Sequence, residues 1–347
     1  MRPFLTSFFV AVALAVIACS PGDHEFPVLT GDYLGQTPPG ATAALFAPGI
    51  VSTGMYTRDV AMMPDGSEIY FGVAFGGFSV IVGTRLEDGR WTEPEVAPFS
   101  ADPNFMHLEP HITPDGGRML FLSNRPPDGS ELAENEVGGW THQNIWAVDR
   151  VDGGWGEPYP LGPPVNTDEN GEFFPSTTED GTLYFTRSEA ATRGNYIYRS
   201  RLVDGEYHEP ERLGPQVNST AAQYNAFVAP DESYIIVPTA GREDSRGGTD
   251  YYIVFRDEDD NWSESVNMGD EINQASGGEW SPYVSPDGKY FFFMSSRRPA
   301  PNTLPDSLTF DYLKELYTTA PNGSSAIYWI DAGFIEELRA AAWEAGP

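Results

Sequence analysis

The most regular feature of the chain is an alternation of short apolar stretches with polar turns. Five segments share one pattern: a first stretch, a turn of the Pro-Asp-Gly type, and then a run of aromatic and β-branched residues. Pro presets φ at the first turn position, Asp bonds the backbone ahead of it, and Gly tolerates positive φ. Each segment therefore predicts a β-hairpin. The hairpins span residues 61–71, 111–121, 176–185, 227–237 and 283–293.

Each hairpin is followed by more strand-like sequence. A third apolar strand comes after every hairpin, and in the first four repeats a polar turn and a fourth strand follow it. The third strands are predicted at 79–86, 144–151, 195–202, 250–257 and 326–333. A repeated unit of four antiparallel strands is typical of a propeller blade. The sequence thus predicts an all-β fold, a five-bladed β-propeller of four-stranded antiparallel blades.

The last repeat differs from the others because it lacks a fourth strand. Its third strand is followed by a C-terminal helical pattern, with Phe334, Leu338 and Ala342 on one stripe. Residues 44–53 precede the first repeat and follow the fourth-strand pattern. We expect this N-terminal strand to pair into the last blade and close the ring, which protects the sheet edges. The alternative is a sixth blade, for which residues 20–56 are too few.

One repeat carries a resemblance to a known family. It contains Trp155, then Leu161-Gly162 and Val165-Asn166-Thr167, and then the turn Glu179-Asp180-Gly181 before Tyr184-Phe185. This run resembles the WD40-like PD40 repeats of TolB-type propellers, and similar repeats cover residues 41–340. TolB-type propellers have six blades, whereas five repeats are counted here. The resemblance therefore implies the fold and leaves the partners open.

The N-terminal segment predicts export. Arg2 precedes an apolar run from Phe8 to Ala18, which is too short for a membrane span and is typical of a signal peptide. Val16-Ile17-Ala18-Cys19 resembles the lipobox of bacterial lipoproteins, in which the cysteine is lipidated. The alternative is an ordinary secretory signal cleaved near Ala18. The lipoprotein interpretation gives a signal peptide at 1–18, a lipidation site at Cys19, a tether at 19–40 and one propeller domain at 41–347.

Charge narrows the range of partners. The chain has 51 acidic and 20 basic residues, a formal net charge of −31. Phosphate backbones and anionic lipid surfaces repel such a chain, so we expect no nucleic-acid partner and membrane contact through the lipid anchor only. A single cysteine excludes a disulfide framework and a thiolate metal cluster.

Candidate binding residues follow from the first strand of each blade, which lines the central channel of a propeller. Positions are counted back from the turn aspartates at 65, 115, 180, 231 and 287. With a strand period of two, residues four, six and eight positions before them would share one face. The set at four is Ala61, His111, Ser176, Phe227 and Tyr283. The set at six is Asp59, Glu109, Phe174, Asn225 and Ser281, and the set at eight is Thr57, His107, Glu172, Gln223 and Glu279.

Three interpretations of these rings remain open. Polar residues line wet propeller channels without further function. Alternatively, the mouth where the first strands begin binds a small polar ligand or a partner's loop. The residues for this binding site are His107, Glu109, Glu172, Gln223, Asn225 and Glu279. In the third interpretation, two of four carboxylates act as acid and base on a glycan, chosen from Asp59, Glu109, Glu172 and Glu279.

The loops between second and third strands lie on the same side as the mouth and are rich in arginine. Arginine forks bind carboxylate and phosphate groups. The alternative is that these arginines neutralise neighbouring acidic residues. A short helix is predicted at 308–317, either over the mouth or against blade five. The candidate binding arginines are Arg125, Arg187, Arg242, Arg297 and Arg298.

No metal ion or cofactor is expected. His107 and His111 would stand about 13 Å apart along a strand, too far for one ion. Residues 257–261 imitate the start of a calcium loop but lack its glycine and distant glutamate, and they fit a tight turn better.

Together these features predict a lipid-anchored propeller of the bacterial cell envelope, attached to the outer membrane and facing the periplasm or the cell surface. We expect a non-catalytic recognition or scaffold module for an envelope protein or a cell-wall or glycan component. The alternative is a glycan-active hydrolase or lyase.

Overall fold

The computed structural model describes residues 25–133, 136, 139–275 and 278–344. The predicted signal peptide and Cys19 lie outside the described residues. The described chain forms five antiparallel blades in a ring, as predicted, together with two α-helices. We call the end of the ring where the first strands begin the mouth side, and the end with the Pro-Asp-Gly turns the turn side.

Four blades follow one another along the chain, after a short strand β1 (Ala44–Leu45). Blade one contains β2 (Tyr56–Met62), β3 (Glu68–Phe75), β4 (Phe78–Glu87), β5 (Arg90–Trp91) and β6 (Glu95–Val96). Blade two contains β7 (His107–Ile112), β8 (Arg118–Ser123), β9 (Asn144–Val151), β10 (Gly154–Trp155) and β11 (Tyr159–Pro160). Blade three contains β12 (Gly171–Thr177), β13 (Leu183–Glu189), β14 (Gly194–Ser200), β15 (Leu202–Val203), β16 (Glu206–Tyr207) and β17 (Glu211–Arg212). Blade four contains β18 (Phe227–Val228), β19 (Tyr234–Ala240), β20 (Thr249–Phe255) and β21 (Val266–Asn267).

Blade five is completed by a strand from the start of the chain. It contains β22 (Trp280–Val284), β23 (Tyr290–Ser295) and β24 (Ala326–Asp331), with helix α1 (Phe310–Thr318) in the loop before β24 and helix α2 (Phe334–Glu344) after it. β1 pairs antiparallel with β24, with Ala44 opposite Trp329 and Leu45 opposite Tyr328. The predicted closure of the ring by an N-terminal strand is therefore confirmed.

Part of the segment predicted as a tether packs on this closing blade. Leu34 is buried, and the ring centroid of Tyr33 lies 5.5 Å from that of Trp329. The amide of Gln36 bonds the backbone of β1 over 2.8 Å. Residues 33–36, which fall in the segment predicted as a tether, therefore pack on the propeller.

A β-bulge interrupts the first strand of every blade. In blade one, Arg58 pairs with Gly72 and Ala61 with Tyr70, so two residues oppose one. The pairing of the other four blades shows the same extra residue. None of the bulge residues is glycine, yet all have φ between 46° and 60°: Asp59, Glu109, Phe174, Asn225 and Ser281.

The bulge corrects the expectation that the three sets of candidate residues share one face. An extra residue reverses the alternation of side chains along a strand. In blade two, His107 pairs with Ser123 and His111 with Leu120, so the two histidines lie on opposite faces. The set eight positions before the turn therefore faces away from the set at four, and the set at six forms the bulges.

The helices occupy different environments. In α2, Ile335 and Ala342 are buried in the core between blades four and five. In α1, which is capped by the hydroxyl of Thr309, no residue is buried. The end of α1 reaches blade one, because Thr319 bridges to Thr53. Within the described residues, neither helix is long and apolar enough to cross a membrane.

Candidate functional site

The bulge residues meet at the centre of the ring and close the channel there. Glu109 Oε1 accepts hydrogen bonds from Arg58 Nη2 over 2.6 Å and from Asn225 Nδ2 over 3.3 Å. The hydroxyl oxygen of Ser281 lies 3.2 Å from each of the same two nitrogens. The N–H of Phe174 donates to Glu109 Oε2 over 2.8 Å. Residues from all five blades thus form one polar plug, in which these side chains are buried.

Charge in this plug is partly compensated within it. Arg58 also donates to Asp59 Oδ1 over 2.9 Å, so one guanidinium lies between two carboxylates. Burial disfavours its charge, but Asp59 and Glu109 outweigh burial and raise the pKa of Arg58. Burial raises the pKa of Glu109, against the attraction of Arg58. The three groups satisfy one another instead of presenting a free acid or base.

The two remaining predicted carboxylates are buried near the mouth side. Glu172 Oε1 accepts from Arg187 Nε and from Thr167 Oγ1, both over 2.9 Å, and burial raises the pKa of Glu172. Glu279 Oε1 accepts from the hydroxyl of Ser295 over 3.0 Å. Burial raises the pKa of Glu279 to about 7. The structure therefore divides the four carboxylates between the plug and two separate buried positions.

The other two predicted mouth residues are also buried. The ring of His107 packs edge-on against Phe121 at a centroid distance of 5.7 Å. Burial and then the nearby charge of Arg125 lower the pKa of His107 to about 4, so its imidazole is neutral at pH 7. Gln223 is buried beside Thr220, to which its side chain is hydrogen-bonded. Neither residue is presented to a ligand at the mouth.

Two of the predicted binding arginines are held by hydrogen bonds to the chain itself. Arg187 bonds Glu172 and the carbonyl of Val165, the latter over 2.9 Å. Arg297 donates to the carbonyl of Glu271 over 2.6 Å, and burial lowers the pKa of Arg297. These contacts tie mouth-side loops to the blades.

The other three predicted arginines are more accessible. Arg125 lies over the ring of Trp146 at 5.2 Å, and Arg242 pairs with Asp244 over 3.0 Å. Arg298 is exposed. Four of the five candidate arginines thus contact the propeller itself, and two of them, Arg187 and Arg242, pair with an acidic residue.

The turn side of the axis, in contrast, is open. A cavity of about 230 Å³ lies there, below the plug, and we call it the axial cavity. All five blades contribute to its wall, through residues that include Met62, His111, Thr177, Phe227 and Tyr283. This volume is smaller than the ~300 Å³ at which pockets for drug-sized ligands begin. The axial cavity therefore has room for one or two amino-acid side chains.

His111 gives the axial cavity a neutral polar group of fixed tautomer. The N–H of Thr177 donates to His111 Nε2 over 2.9 Å. Nε2 is therefore the unprotonated nitrogen, and Nδ1 carries the proton. Burial lowers the pKa of His111 to about 3. At neutral pH the ring is an uncharged hydrogen-bond donor.

A groove leads outward from the axial cavity. It has a volume of about 590 Å³ and runs beneath blades four and five to helix α2, and we call it the radial groove. Glu179, Pro230 and Tyr234 line both spaces. Lys289 and Arg339 line the outer part of the radial groove. The two spaces therefore adjoin each other and share part of their walls.

In the described part of the chain, no three His, Cys, Asp or Glu side chains are arranged to hold a metal ion.

Sequence reasoning missed two features of this site. Arg58 was not selected, although it is a basic residue beside the Asp59 bulge in an acidic chain. The turn-side cavity was also missed, although His111, Phe227 and Tyr283 stand in the set at four positions. That set mixes apolar and polar residues, which is typical of a binding pocket.

Comparisons with known proteins give weak similarities. No protein-family model matches the chain, and no curated protein matches it. Among solved structures, a putative TolB from Agrobacterium tumefaciens is 16% identical with a TM-score of 0.44, over 80% of this chain and 90% of that one. TolB from Acinetobacter baumannii is 15% identical with a TM-score of 0.45, over 80% and 57%. Hydrazine Synthase from Kuenenia stuttgartiensis is 14% identical with a TM-score of 0.40, over 79% and 87%. None of the three transfers a function to this chain.

Proposed function

We propose that the chain is a non-catalytic recognition module of the bacterial cell envelope, which binds an exposed segment of an envelope protein on the turn side of its ring. The observation that carries this proposal is the axial cavity, whose wall is built by all five blades. A site of this kind exists only when the ring is closed, so binding depends on the complete propeller.

The dimensions of the site favour a protein segment. The axial cavity has room for one or two side chains, and the radial groove extends this space in one direction. Phe227 and Tyr283 line the axial cavity with aromatic rings, and His111 adds a neutral polar side chain to the same wall. An apolar anchor with a few fixed polar groups is the usual composition of a recognition pocket.

The contacts of three of the four predicted carboxylates support a binding role over the glycan-active alternative, since they leave Glu279 without a second free carboxyl group. An acid–base pair requires two carboxyl groups that reach a substrate. Asp59 and Glu109 are held by Arg58 in the buried plug. Glu172 is held by Arg187, and its carboxylate is buried as well.

The envelope location is supported by the sequence of the first 19 residues, with its apolar run and Val-Ile-Ala-Cys end. We propose that Cys19 is lipidated and anchors the propeller to the outer membrane. Changing Cys19 to Ala is expected to release the chain from the membrane fraction. Unchanged fractionation of this variant would contradict lipid anchoring.

Binding on the turn side is tested with Glu179→Trp, because Glu179 lines both the axial cavity and the radial groove. The matched control is Glu206→Trp, which removes the same charge from an exposed residue of β16. Envelope extracts are crosslinked to each form and the captured proteins are compared. We expect E179W to lose partners that wild type and E206W retain.

Identical partners for all three forms would contradict the turn-side site. Loss of a captured glycan instead of a protein would assign the same site to a glycan ligand.

A further inference from the structure

The mouth side of the ring carries an asymmetric distribution of exposed apolar side chains. The tip of the β3–β4 hairpin presents Phe75 and Phe78, which pair across a Gly76-Gly77 turn and are 54% and 55% exposed. The corresponding loop of blade two presents Trp140. All three lie at the mouth side, because the loops between second and third strands project there.

Blade five continues this exposed surface. Its helix α1 presents Phe310, Leu313 and Tyr317, spaced three and four residues apart on one stripe. Tyr312 and Leu316 are only half-buried, so α1 covers little of the blade beneath it. An exposed apolar stripe of this kind is typical of a helix that lies in an interface.

The two parts are connected through Gly54 and Met55. The backbone of Gly54 lies against that of Tyr317, so the end of α1 touches the start of blade one. Met55 follows in the chain and lines an apolar groove together with Phe75 and Phe78. We call the surface formed by α1, Met55, the β3–β4 tip and Trp140 the apolar arc.

Blades three and four differ on the same side. Their loops between second and third strands lie at 190–193, which contains Arg193, and at 241–248, which contains both arginine and acidic residues. Among the described residues, no exposed large apolar side chain lies in either loop. Among the residues that the structure describes, the exposed large apolar side chains of these mouth-side loops thus lie over blades five, one and two and not over blades three and four.

The start of the described chain lies at the apolar arc. Phe26 lines the same groove as Met55, Phe75 and Phe78. Cys19 precedes Phe26 by seven residues, which span at most about 25 Å when fully extended. A lipid on Cys19 therefore holds the apolar arc within reach of the bilayer that contains it.

We propose that the apolar arc rests in the surface of the bilayer that holds the lipid anchor, so that the propeller lies with blades five, one and two against the membrane. This inference depends on the lipidation of Cys19, which is part of the proposed function. Exposed Phe, Leu and Trp side chains are the residues that enter the headgroup boundary. The net charge of −31 opposes approach to anionic lipid, and zwitterionic lipid removes that repulsion.

The arrangement has a functional consequence. With the mouth side against the bilayer, the axial cavity on the turn side faces away from it. The proposed protein segment then reaches the cavity from the aqueous space.

The test places an environment-sensitive dye at matched positions of the full lipidated chain. Cys19 is the sole cysteine, and its thiol is blocked once it carries a lipid, so an introduced cysteine is the one free thiol. Phe75→Cys is matched by Val151→Cys, since these residues are 54% and 53% exposed. Leu313→Cys is matched by Val203→Cys, at 45% and 42%. Both control residues lie on the turn side: Val151 ends β9, and Val203 lies in β15, directly after β14.

Each labelled form is reconstituted in phosphatidylcholine and phosphatidylethanolamine vesicles, and the emission of its dye is recorded. The reference is the emission of the same chain in detergent-free buffer, after a protease has cut the propeller from its lipid anchor. We expect the F75C and L313C dyes to shift to shorter wavelength on vesicles, and the V151C and V203C dyes to stay unchanged. Lipidation itself is measured by mass spectrometry of the N-terminal peptide.

The outcomes separate the two proposals. A lipidated chain with all four dyes in an aqueous environment would overturn the membrane orientation alone, and would indicate that a protein covers the apolar arc. A chain without lipid would overturn the anchor and the orientation together. Emission shifts at the control positions as large as those on the apolar arc would also overturn the membrane orientation.

Discussion

Arg58 and Glu109 belong to neighbouring blades, yet Arg58 Nη2 donates to Glu109 Oε1 over 2.6 Å at the buried centre of the ring. Removing one partner of a buried ion pair leaves an uncompensated charge and costs about 3–5 kcal/mol. We expect Arg58→Met to lower the free energy of unfolding by about that amount, measured by chemical denaturation at pH 7. The control Arg298→Met changes an exposed arginine and is expected to have little effect. Equal stability of the two variants would show that the plug does not hold the ring.

The pair also predicts a partial rescue. Arg58→Met leaves the carboxylates of Asp59 and Glu109 without their cation. In the double variant Arg58→Met/Glu109→Gln, a neutral amide replaces one of these two carboxylates. We expect the double variant to be more stable than R58M alone, because contacting residues in one network are not additive. A double variant that is less stable than R58M would show that Glu109 is held by other groups.

Glu279 is expected to give the stability of the fold a pH dependence opposite in sign to that of an ordinary carboxylate. Its pKa is raised from 4.5 to about 7 in the folded chain, so the folded state binds more protons than the unfolded state between these values. The stabilisation that protonated Glu279 gives to the folded state is complete below pH 4.5 and is lost as the pH rises through 7. Glu279→Gln is therefore expected to be more stable than wild type at pH 8, with a smaller difference at pH 5. Thermal unfolding at the two pH values measures this, and a difference that grows toward acid would contradict it.

His111 predicts a loss of stability in acid. Its pKa is lowered to about 3 in the folded chain, against an ordinary value near 6.5. Protonation of the unfolded state then removes stability as the pH falls from about 6.5 toward 3, by up to about 1.4 kcal/mol per pH unit. His111→Gln keeps an acceptor for the N–H of Thr177 and is expected to weaken this dependence. The variant keeps the part of the acid-induced loss of stability that is due to His107, because burial lowers the pKa of His107 as well.

Gly54 predicts a way to displace α1 selectively. A Cβ at this position would overlap the backbone of Tyr317 and Thr318, whereas one at Gly40 meets no atom within 4 Å. We expect Gly54→Ala to release α1 and speed its cleavage by protease, while Gly40→Ala is cleaved like wild type. Because α1 buries no residue, the stability of the ring is expected to change little. Similar cleavage rates for both variants would contradict the close contact.

The strands were predictable because the residues of one tight turn in each blade indicate the strands on either side of it. β9 has the predicted bounds, 144–151, and β24 begins at the predicted Ala326. Proline, aspartate and glycine act within four residues, so their effect is visible in the sequence. The closing strand was predictable for a related reason, since a blade without a fourth strand leaves an edge that another strand must cover.

The centre of the ring was less predictable, because it depends on contacts between blades. The bulges place non-glycine residues such as Glu109 at positive φ, and no local residue pattern indicates this. The period-two argument therefore put His107 and His111 on one face, whereas the extra residue separates them. The partners of Arg58 come from positions 51 and 223 residues away, which a linear count along one strand does not join.

The closing strand has a mechanical consequence. β1 is held in blade five by two register pairs, the fewest residues with which a strand of this blade is attached. A pull on the N-terminal end of the chain reaches β1 only through earlier attachments. The carbonyls of Leu29 and Gly31 accept hydrogen bonds from Trp91 of blade one over 2.9 Å and 2.7 Å, and Tyr33 packs on Trp329 of blade five. These contacts lie between the pulled N-terminus and the β1–β24 pairing, so they resist the force before that pairing does. Tension on the N-terminus would first detach this segment from blades one and five, and only then unzip β1 from β24 and open the circle.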